Sequence, residues 1–304
     1  MDRREFLKSS ALAAGAAAGV YALAGRAPAQ DAPAAATVAG AEKKPAVLKI
    51  SSQEGRVPGK GLREKVETLQ SWGAAGVELS ANIKDRVAEI KDAVKGTSIA
   101  VSAICAGYFQ LIDPDEAKRK QGAQRLKDLC GPAGEVGSTG VIMVPAFNNH
   151  DQLPPKEARK VLVDILPEIG EAARKAGTRI LMEPLNRGEA FFLRQLADAA
   201  SICRDVNSPS IGMMGDFYHM CKEETSDRGA FLSAGPYLHH VHLASRLRNL
   251  PGQDDRSFVD GFRGLKMIGY QGFCSLECGV KGQAAVEIPK AFRFLEQQWK
   301  EATI

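Results

Sequence analysis

With 304 residues and 44% hydrophobic content, the chain is long enough to bury one large core, so a single domain is the default expectation. Its 40 basic and 36 acidic residues leave a net charge of only +4, which argues against the strongly basic surface that nucleic-acid binding requires.

The first 29 residues have the pattern of an export signal. Arg3 and Arg4 precede a weakly apolar run, 11–24, that is too short and too rich in Ala and Gly to span a bilayer stably. An Ala-x-Ala cleavage site is available at 27–29. We therefore predict that residues 1–29 are a twin-arginine signal peptide and that the mature protein is periplasmic or otherwise extracytoplasmic.

The segment 30–44 is rich in Ala and poor in large apolar residues, which predicts a disordered linker before a folded domain at 45–304. No later apolar run is long enough for a membrane span, so we predict none in the mature protein. The six cysteines form neither a CxxC pair nor the spacing of a small disulfide framework. Buried free thiols are the expectation.

Eight short apolar runs alternate with longer segments of helical period, which is typical of a parallel sheet covered by helices. The predicted strands are Val47–Ser51, Gly76–Leu79, Ile99–Ile104, Gly140–Val144, Arg179–Glu183, Ile211–Asp216, Leu238–Leu243 and Gly272–Glu277.

The helical segments carry one-sided apolar stripes. Leu62, Val66 and Leu69 mark the first helix, and a similar stripe ending at Trp299 marks the last. Pro167 lies inside the fourth helix, where it is expected to kink or break the helix. Because no GxGxxG motif follows the first strand, we predict one closed (β/α)8 TIM barrel rather than an open doubly wound sheet.

Polar residues interrupt the last four predicted strands at or near their C-terminal ends. They are Glu183, Asp216, His242 and Glu277. The C-terminal ends of barrel strands converge on one face, where these enzymes build their sites, so we expect the four side chains to meet there.

Three carboxylates at one point would repel each other unless a cation lies among them, and a neutral histidine nitrogen is a further metal ligand. A set of three oxygen ligands and one nitrogen without sulfur suits one divalent ion, Mn2+ first, with Mg2+, Co2+ or Zn2+ as alternatives. The opposite interpretation is that the four are separate capping or salt-bridging residues.

Three further polar residues fall in loops after these strands: Glu189, His219 and Arg248. Arg and His can hold hydroxyl or carbonyl oxygens of a polar ligand, and Glu can accept a hydroxyl hydrogen. We predict that they bind substrate. His240 shares the facing of His242 but lies deeper, so we expect a hydrogen-bonded core histidine there. His150 is a weaker candidate in the loop after the fourth strand.

Four segments occur in an order that resembles the xylose isomerase-like sugar epimerase/isomerase superfamily. They are Glu183-Pro-Leu-Asn-Arg-x-Glu189, Asp216-Phe-Tyr-His219, His240-Val-His242-Leu-Ala and Ser275-Leu-Glu277-Cys-Gly279. The resemblance is strongest to the ketose 3-epimerases, with hydroxypyruvate isomerase a neighbour, and it covers about 47–299.

The resemblance implies a metal held by the four strand-end residues and a carbohydrate substrate contacted by Glu189, His219 and Arg248. It also implies that Glu183 and Glu277 act as an acid/base pair. One glutamate would remove a carbon-bound proton beside a carbonyl, and the other would return it on the opposite face of an enediolate.

The sequence leaves three alternative functions to consider. Export favours a metal-dependent lyase or hydrolase that cleaves 3-keto glycosides by β-elimination. A DNA-repair nuclease of the endonuclease IV type would need further histidines after the second and third strands, and these are missing. A non-catalytic sugar-binding barrel would not need both Glu183 and Glu277. The subunit number is left open, with a homo-oligomer as one expectation.

Overall fold

Eight parallel strands pair in chain order and close into a barrel. The structure, a computed structural model, describes residues 44–304. The predicted export signal and all but the last residue of the predicted linker lie outside the described residues. The predicted (β/α)8 barrel is confirmed.

Each strand lies between two parallel neighbours, and the pairing of the first strand with the eighth completes the barrel. The strands are β1 (Lys49–Gln53), β2 (Gly76–Ser80), β3 (Ala100–Tyr108), β4 (Val141–Val144), β5 (Ile180–Met182), β6 (Ile211–Asp216), β7 (Leu238–Leu243) and β8 (Phe273–Leu276).

Helices follow the strands and cover the outside of the barrel. They are α1 (Leu62–Ser71), α2 (Val87–Val94), α3 (Glu116–Glu135), α4 (Pro155–Ala176), α5 (Leu196–Val206), α6 (Phe217–Glu223), α7 (Asp227–Ala234), α8 (Val259–Met267) and α9 (Ala284–Glu301). Leu62, Val66 and Leu69 of α1 are buried, as their spacing predicts.

We expected a kink or a break at Pro167, and the break does not occur, because the helix α4 continues through this proline. A proline removes one backbone hydrogen bond from a helix. The buried face of α4, which includes Leu162, Leu166 and Ile169, supplies packing on both sides of the proline. This packing offsets the lost hydrogen bond because most helical stability in proteins comes from the buried face.

The barrel interior is apolar on one side and polar on the other. Side chains from β3 to β6 form a small separate apolar cluster of Ala103, Ile142, Leu181 and Met214. Cross-strand register pairs Ala103 with Glu78 and Met214 with His240, so these polar residues share the same interior. The polar side of the interior therefore runs from β7 through β8 and β1 to β2.

All six cysteines are free, and four of them are buried, in agreement with the expectation of unbridged thiols. Within residues 44–304, no helix combines the length and apolar character that crossing a bilayer requires.

Candidate metal centre

The four predicted strand-end residues meet at the C-terminal face of the barrel. One ligand atom from each of Glu183, Asp216, His242 and Glu277 lies within 4.8 Å of the others. Asp216 ends β6 and His242 lies in β7, whereas the two glutamates directly follow β5 and β8. The predicted convergence of these side chains is thus present in the structure.

The two glutamates are fixed by backbone hydrogen bonds that extend the sheet beyond the assigned strands. The amide of Glu183 donates to the carbonyl of Met143 at 3.0 Å, and the amide of Glu277 donates to the carbonyl of Leu243 at 3.3 Å. Each carboxylate therefore projects from backbone that the neighbouring strand holds in register.

Asp216 uses its two carboxylate oxygens differently. Oδ1 accepts a 2.7 Å hydrogen bond from the amide of Tyr218 and so caps the first turn of α6. Oδ2 is buried and has no hydrogen-bond partner among the described residues. A buried carboxylate oxygen without a partner is costly, so Oδ2 is available for a cation.

His242 also presents one unpartnered atom to the site. Its Nδ1 lies 3.1 Å from Oε2 of Glu277 and 3.5 Å from Oε1 of Glu183, yet it makes no hydrogen bond to any described residue. Its Nε2 points the other way, to the carboxylate of Glu78. The imidazole therefore has one nitrogen for the centre and one for the barrel interior.

The centre contains three carboxyl groups and one imidazole, so acidic groups are in excess. Burial and the charge of Glu277 raise the pKa of Asp216 to about 8, and burial also raises the pKa of Glu183. Burial lowers the pKa of His242, but the charges of Glu78 and Glu277 outweigh burial and raise this pKa well above its ordinary value. The group of acidic side chains thus stabilises a positive charge between them, which a divalent ion would supply.

The donor set fits one divalent ion. Two unpartnered buried atoms, Oδ2 of Asp216 and Nδ1 of His242, face the point where the two glutamates converge. Carboxylate oxygens and an imidazole nitrogen are ligands that Mn2+, Mg2+, Co2+ and Zn2+ all accept.

His219 lies beside this centre. Its Nδ1 accepts from the backbone amide of Asn186 at 3.2 Å and faces the side-chain amide of the same residue at 2.8 Å. Its Nε2 lies 3.5 Å from Oδ2 of Asp216. Burial and the nearby Arg248 charge lower the pKa of His219 to about 3, so its imidazole is neutral at neutral pH.

Arg248 reaches the centre from the loop after β7. Its Nη2 donates to Oε2 of Glu277 at 2.9 Å, and its guanidinium stacks 4.6 Å above the ring of Tyr218. Burial raises the pKa of Glu277, but the charges of His242 and Arg248 outweigh burial and lower it to about 2. Glu277 is therefore ionised near neutral pH.

Glu189 completes the rim of the site. Its Oε1 accepts from the side-chain amide of Asn186 at 2.8 Å and lies 3.6 Å from Nη1 of Arg248. The side chain is 36% exposed, so it remains accessible to a ligand entering from solvent. The structure therefore brings Glu189, His219 and Arg248 together around the four-residue centre.

The sequence patterns did not predict two residues that contact the centre. Glu78 in β2 is buried and bonds both His240 and His242, and Gln53 in β1 donates to Glu78 at 2.9 Å and to Glu277 at 3.1 Å. The signal was a charged residue inside the apolar run Gly-Val-Glu78-Leu, because a carboxylate in a buried strand requires a partner.

The predicted core position of His240 is confirmed, and His150, the weaker site candidate, lies in the loop after β4. His240 is fully buried and hydrogen-bonded to Glu78 at 2.8 Å, as expected for a core histidine. His150 is exposed and stacks on the ring of Tyr108 with centroids 4.4 Å apart.

Comparisons with known proteins identify the family of this barrel. A family model described as a xylose isomerase-like TIM barrel matches residues 66–298. The chain is 28% identical to the 3-dehydro-D-guloside 4-epimerase of Escherichia coli (strain K12) over 246 residues, which are 78% of this chain and 94% of that protein. It is 23% identical to a probable ketose 3-epimerase of Synechocystis over 218 residues, 69% of this chain and 76% of the relative.

Solved structures show the same barrel. The apo crystal structure of a 3-keto-D-glucoside 4-epimerase from E. coli matches with a TM-score of 0.75 and 27% identity, covering 83% of this chain and 100% of that chain. The IOLI protein, crystallised with a zinc atom, matches with a TM-score of 0.70 and 18% identity. The match covers 84% of this chain and 99% of that chain. At this low identity, the likeness to the IOLI protein shows the fold alone.

Proposed function

This chain belongs to the xylose isomerase-like TIM barrel family, and from that premise we propose that it is a divalent-metal-dependent sugar epimerase or isomerase that moves a proton on carbon through an enediolate. The observation that carries the proposal is the convergence of Glu183, Asp216, His242 and Glu277 within 4.8 Å at the C-terminal face of the barrel. Mn2+ is the ion that we propose first.

When bound, a divalent ion at these residues would polarise a substrate carbonyl and its adjacent hydroxyl and would offset the negative charge that develops on them. The chain's own residues supply the proton chemistry. Glu183 and Glu277 project from β5 and β8, which are separated by β6 and β7 in the barrel. Two carboxylates so placed flank a substrate carbon and can remove its proton on one face and return it on the other.

The residues around the centre orient the substrate. Nδ1 of His219 lies 3.2 and 2.8 Å from the two nitrogens of Asn186, closer than the 3.4 Å between Nε2 and Nη1 of Arg248. We therefore assign the ring proton to Nε2, from which it can be donated to a substrate oxygen. Arg248 supplies a fixed positive charge beside Glu277, and Glu189 supplies an acceptor at the rim. These contacts position hydroxyl and carbonyl oxygens for proton transfer.

For the substrate class, we propose a 3-keto glycoside ahead of a free ketose. Two of the similar proteins act, by their names, on a 3-dehydro guloside and a 3-keto glucoside. A cavity of about 290 Å³ opens beside Gln53 and Glu78 and is lined also by Arg56, Ser80 and Cys105. The cavity has room for a substituent beyond the reacting sugar ring, and Gln53, Arg56 and Ser80 offer it polar contacts.

The twin-arginine pattern of residues 1–29 supports a second part of the proposal, namely that the enzyme works outside the cytoplasm. Metal would then be acquired before export, because twin-arginine substrates cross the membrane folded. Fractionation of cells that express the full chain tests this, and an uncleaved protein confined to the cytoplasm would contradict it.

The central experiment is deuterium exchange. The Mn2+-loaded protein is incubated in D2O with 3-keto glucosides, 3-keto galactosides and a panel of ketoses, and NMR follows deuterium at the carbon beside the carbonyl. We expect deuterium together with the epimeric sugar. Glu183→Gln and Glu277→Gln should each slow the exchange by about 10²–10⁴-fold. Glu171→Gln, on the exposed surface of α4, is the matched control and should leave the rate unchanged.

The products separate the alternatives. If the protein releases an aglycone from 3-keto glycosides and forms no epimer, the reaction is β-elimination and not epimerisation. Absence of exchange with every sugar, in protein that mass spectrometry shows to be metal-loaded, would overturn the enzymatic proposal and favour a sugar-binding barrel. Metal content is measured for each variant, so that a lost proton carrier is distinguished from a lost ligand.

A further inference from the structure

We propose that Glu78 is a positioning residue that holds His242 by Nε2 and so directs Nδ1 at the bound metal ion. The inference rests on the proposed function, because it assigns a role toward the ion. Glu78 lies in the middle of β2. This strand is on the opposite side of the barrel from β5 and β6, whose C-terminal ends carry the candidate ligands Glu183 and Asp216.

The contact between the two residues is direct and fully buried. Nε2 of His242 lies 3.0 Å from Oε2 and 3.1 Å from Oε1 of Glu78, and neither side chain is reached by solvent. On the other edge of the ring, Nδ1 faces Glu183 and Glu277 and has no hydrogen-bond partner among residues 44–304. The two nitrogens of His242 thus have separate and opposite environments.

This arrangement selects one tautomer and one ring orientation. A metal-bound imidazole must coordinate through one nitrogen and keep its proton on the other. A carboxylate that accepts the Nε2 hydrogen fixes that proton and makes Nδ1 a more basic ligand. With Glu78 in place, the ion-facing nitrogen of His242 is Nδ1, and a rotated ring would leave the Glu78 carboxylate without this donor.

Glu78 is itself held in position by two other side chains. His240 approaches Oε2 through its Nε2 at 2.8 Å, and Gln53 donates to Oε1 at 2.9 Å. The same amide nitrogen of Gln53 donates to Oε1 of Glu277 at 3.1 Å. Gln53 and Glu78 therefore connect two of the candidate ligands, His242 and Glu277, to the first two strands of the barrel.

A second group with the composition of a metal site shares His242 with the four-residue centre and adds Glu78 and His240. Its distances of 2.8–3.1 Å are those of hydrogen bonds between the side chains themselves. A supporting role accounts for these contacts without a second ion.

Fold stability alone does not account for a carboxylate at this position. A buried ion pair loses several kcal/mol of hydration for each charge, and well-packed apolar residues of similar size are often as stabilising or more so. The neighbouring interior positions Ala103 and Met214 show that this barrel packs apolar side chains at the same level. The contact with His242 supplies the reason for a carboxylate.

The test compares Mn2+ affinity in the full-length protein and its variants, measured from the electron paramagnetic resonance signal of free Mn2+. Glu78→Gln keeps the size of the side chain but removes its charge, and we expect Mn2+ to bind about 10–100-fold more weakly. Asp113→Asn is the matched control. Asp113 is also buried, but it accepts from the amide of Asp115 in a turn before α3, so its variant should bind Mn2+ as the parent does.

A second measurement is made on the parent protein and does not depend on whether Glu78→Gln folds. Nitrogen-15 NMR of the Zn2+-loaded protein reports the state of each histidine ring, with the His242 signals assigned from His242→Asn. We expect Nδ1 of His242 bound to zinc and Nε2 protonated.

The outcomes separate the inference from the proposed function. Coordination of zinc through Nε2 of His242, or a folded Glu78→Gln protein that binds Mn2+ within threefold of the parent, would overturn the role of Glu78 and leave the metal-dependent enzyme intact. A parent protein that binds neither ion would overturn the proposed metal centre, and the role of Glu78 with it.

Discussion

The guanidinium of Arg248 donates a 2.9 Å hydrogen bond to the carboxylate of Glu277, and Arg248 makes this contact from a left-handed backbone conformation with φ 55°. A residue other than glycine in this region stores about 1–3 kcal/mol of strain. The loop after β7 therefore gives up stability to bring a positive charge to the centre.

Two substitutions distinguish the backbone strain at Arg248 from the effect of its guanidinium charge. Arg248→Ala and Arg248→Gly both remove the contact with Glu277, but only glycine adopts φ 55° without steric penalty. We expect Arg248→Gly to be about 1 kcal/mol more stable than Arg248→Ala, and both to raise KM at least tenfold. Urea denaturation and steady-state kinetics measure the two effects. Equal stability of the two variants would show that the loop relaxes when the guanidinium is removed.

His219 should remain neutral throughout the physiological pH range. Burial and the Arg248 charge lower its pKa to about 3, so the ring is protonated only well below pH 5. A pH titration of the histidine ring signals by NMR, between pH 5 and pH 8, should show no protonation of His219. In Arg248→Ala the second cause is removed, and the pKa of His219 should rise. A His219 signal that titrates near pH 6.5 in the parent would contradict the assigned role as a neutral hydrogen-bond donor.

Metal binding should stabilise the fold. An ion that binds only the folded state at a concentration 100 times its Kd contributes about 2.7 kcal/mol. For a domain of this size, each kcal/mol corresponds to a Tm change of about 2–4 °C, so we expect Mn2+ to raise the Tm of the chelator-treated protein by about 5–10 °C. Asp216→Asn, which retains a capping oxygen for α6 but loses the charge, should show a smaller shift, whereas Glu171→Gln should match the parent. An unchanged Tm in the parent at saturating Mn2+ would contradict a preformed site.

Gly122 allows α3 to approach the loop after β3. A Cβ at this position would lie 1.6 Å from the carbonyl oxygen of Phe109, a backbone atom that no rotamer change can move. We expect Gly122→Ala to destabilise the protein by about 3 kcal/mol or more. Gly229→Ala in α7 is the control, because its Cβ would meet only ordinary contacts at 3.6 Å, and alanine there should be neutral or stabilising. Similar unfolding midpoints for the two variants would contradict this packing argument.

The barrel could be predicted because its strands are buried on both faces and carry uninterrupted apolar runs. The bounds of β6 and β7 agree with their sequence patterns at every residue. The strand β3 extends to Tyr108, four residues beyond its predicted end, through Gly107, which has φ 78° and lies at a shift in the pairing with β4. Such a bulge depends on the neighbouring strand and leaves no periodic signal in the sequence.

The four ligand candidates could be predicted because polar residues at the ends of successive strands are unusual and converge in a barrel. Gln53 and Glu78 could not be identified in the same way. Their importance arises from partners 162 to 224 residues away along the chain, His240, His242 and Glu277. Sequence position alone does not show which interior positions on β1 and β2 face those on β7 and β8.

The hydrogen bond between Gln53 and Glu277 joins residues 224 positions apart, across the β1–β8 ladder that closes the barrel. Contacts of such long sequence separation require the largest loop-closure entropy and tend to form slowly. We therefore expect the support that Gln53 gives to Glu277 to form late in folding, after the two ends of the domain have met. A contact that is absent until the barrel has closed stabilises the finished fold, so it is expected to slow unfolding rather than to speed folding.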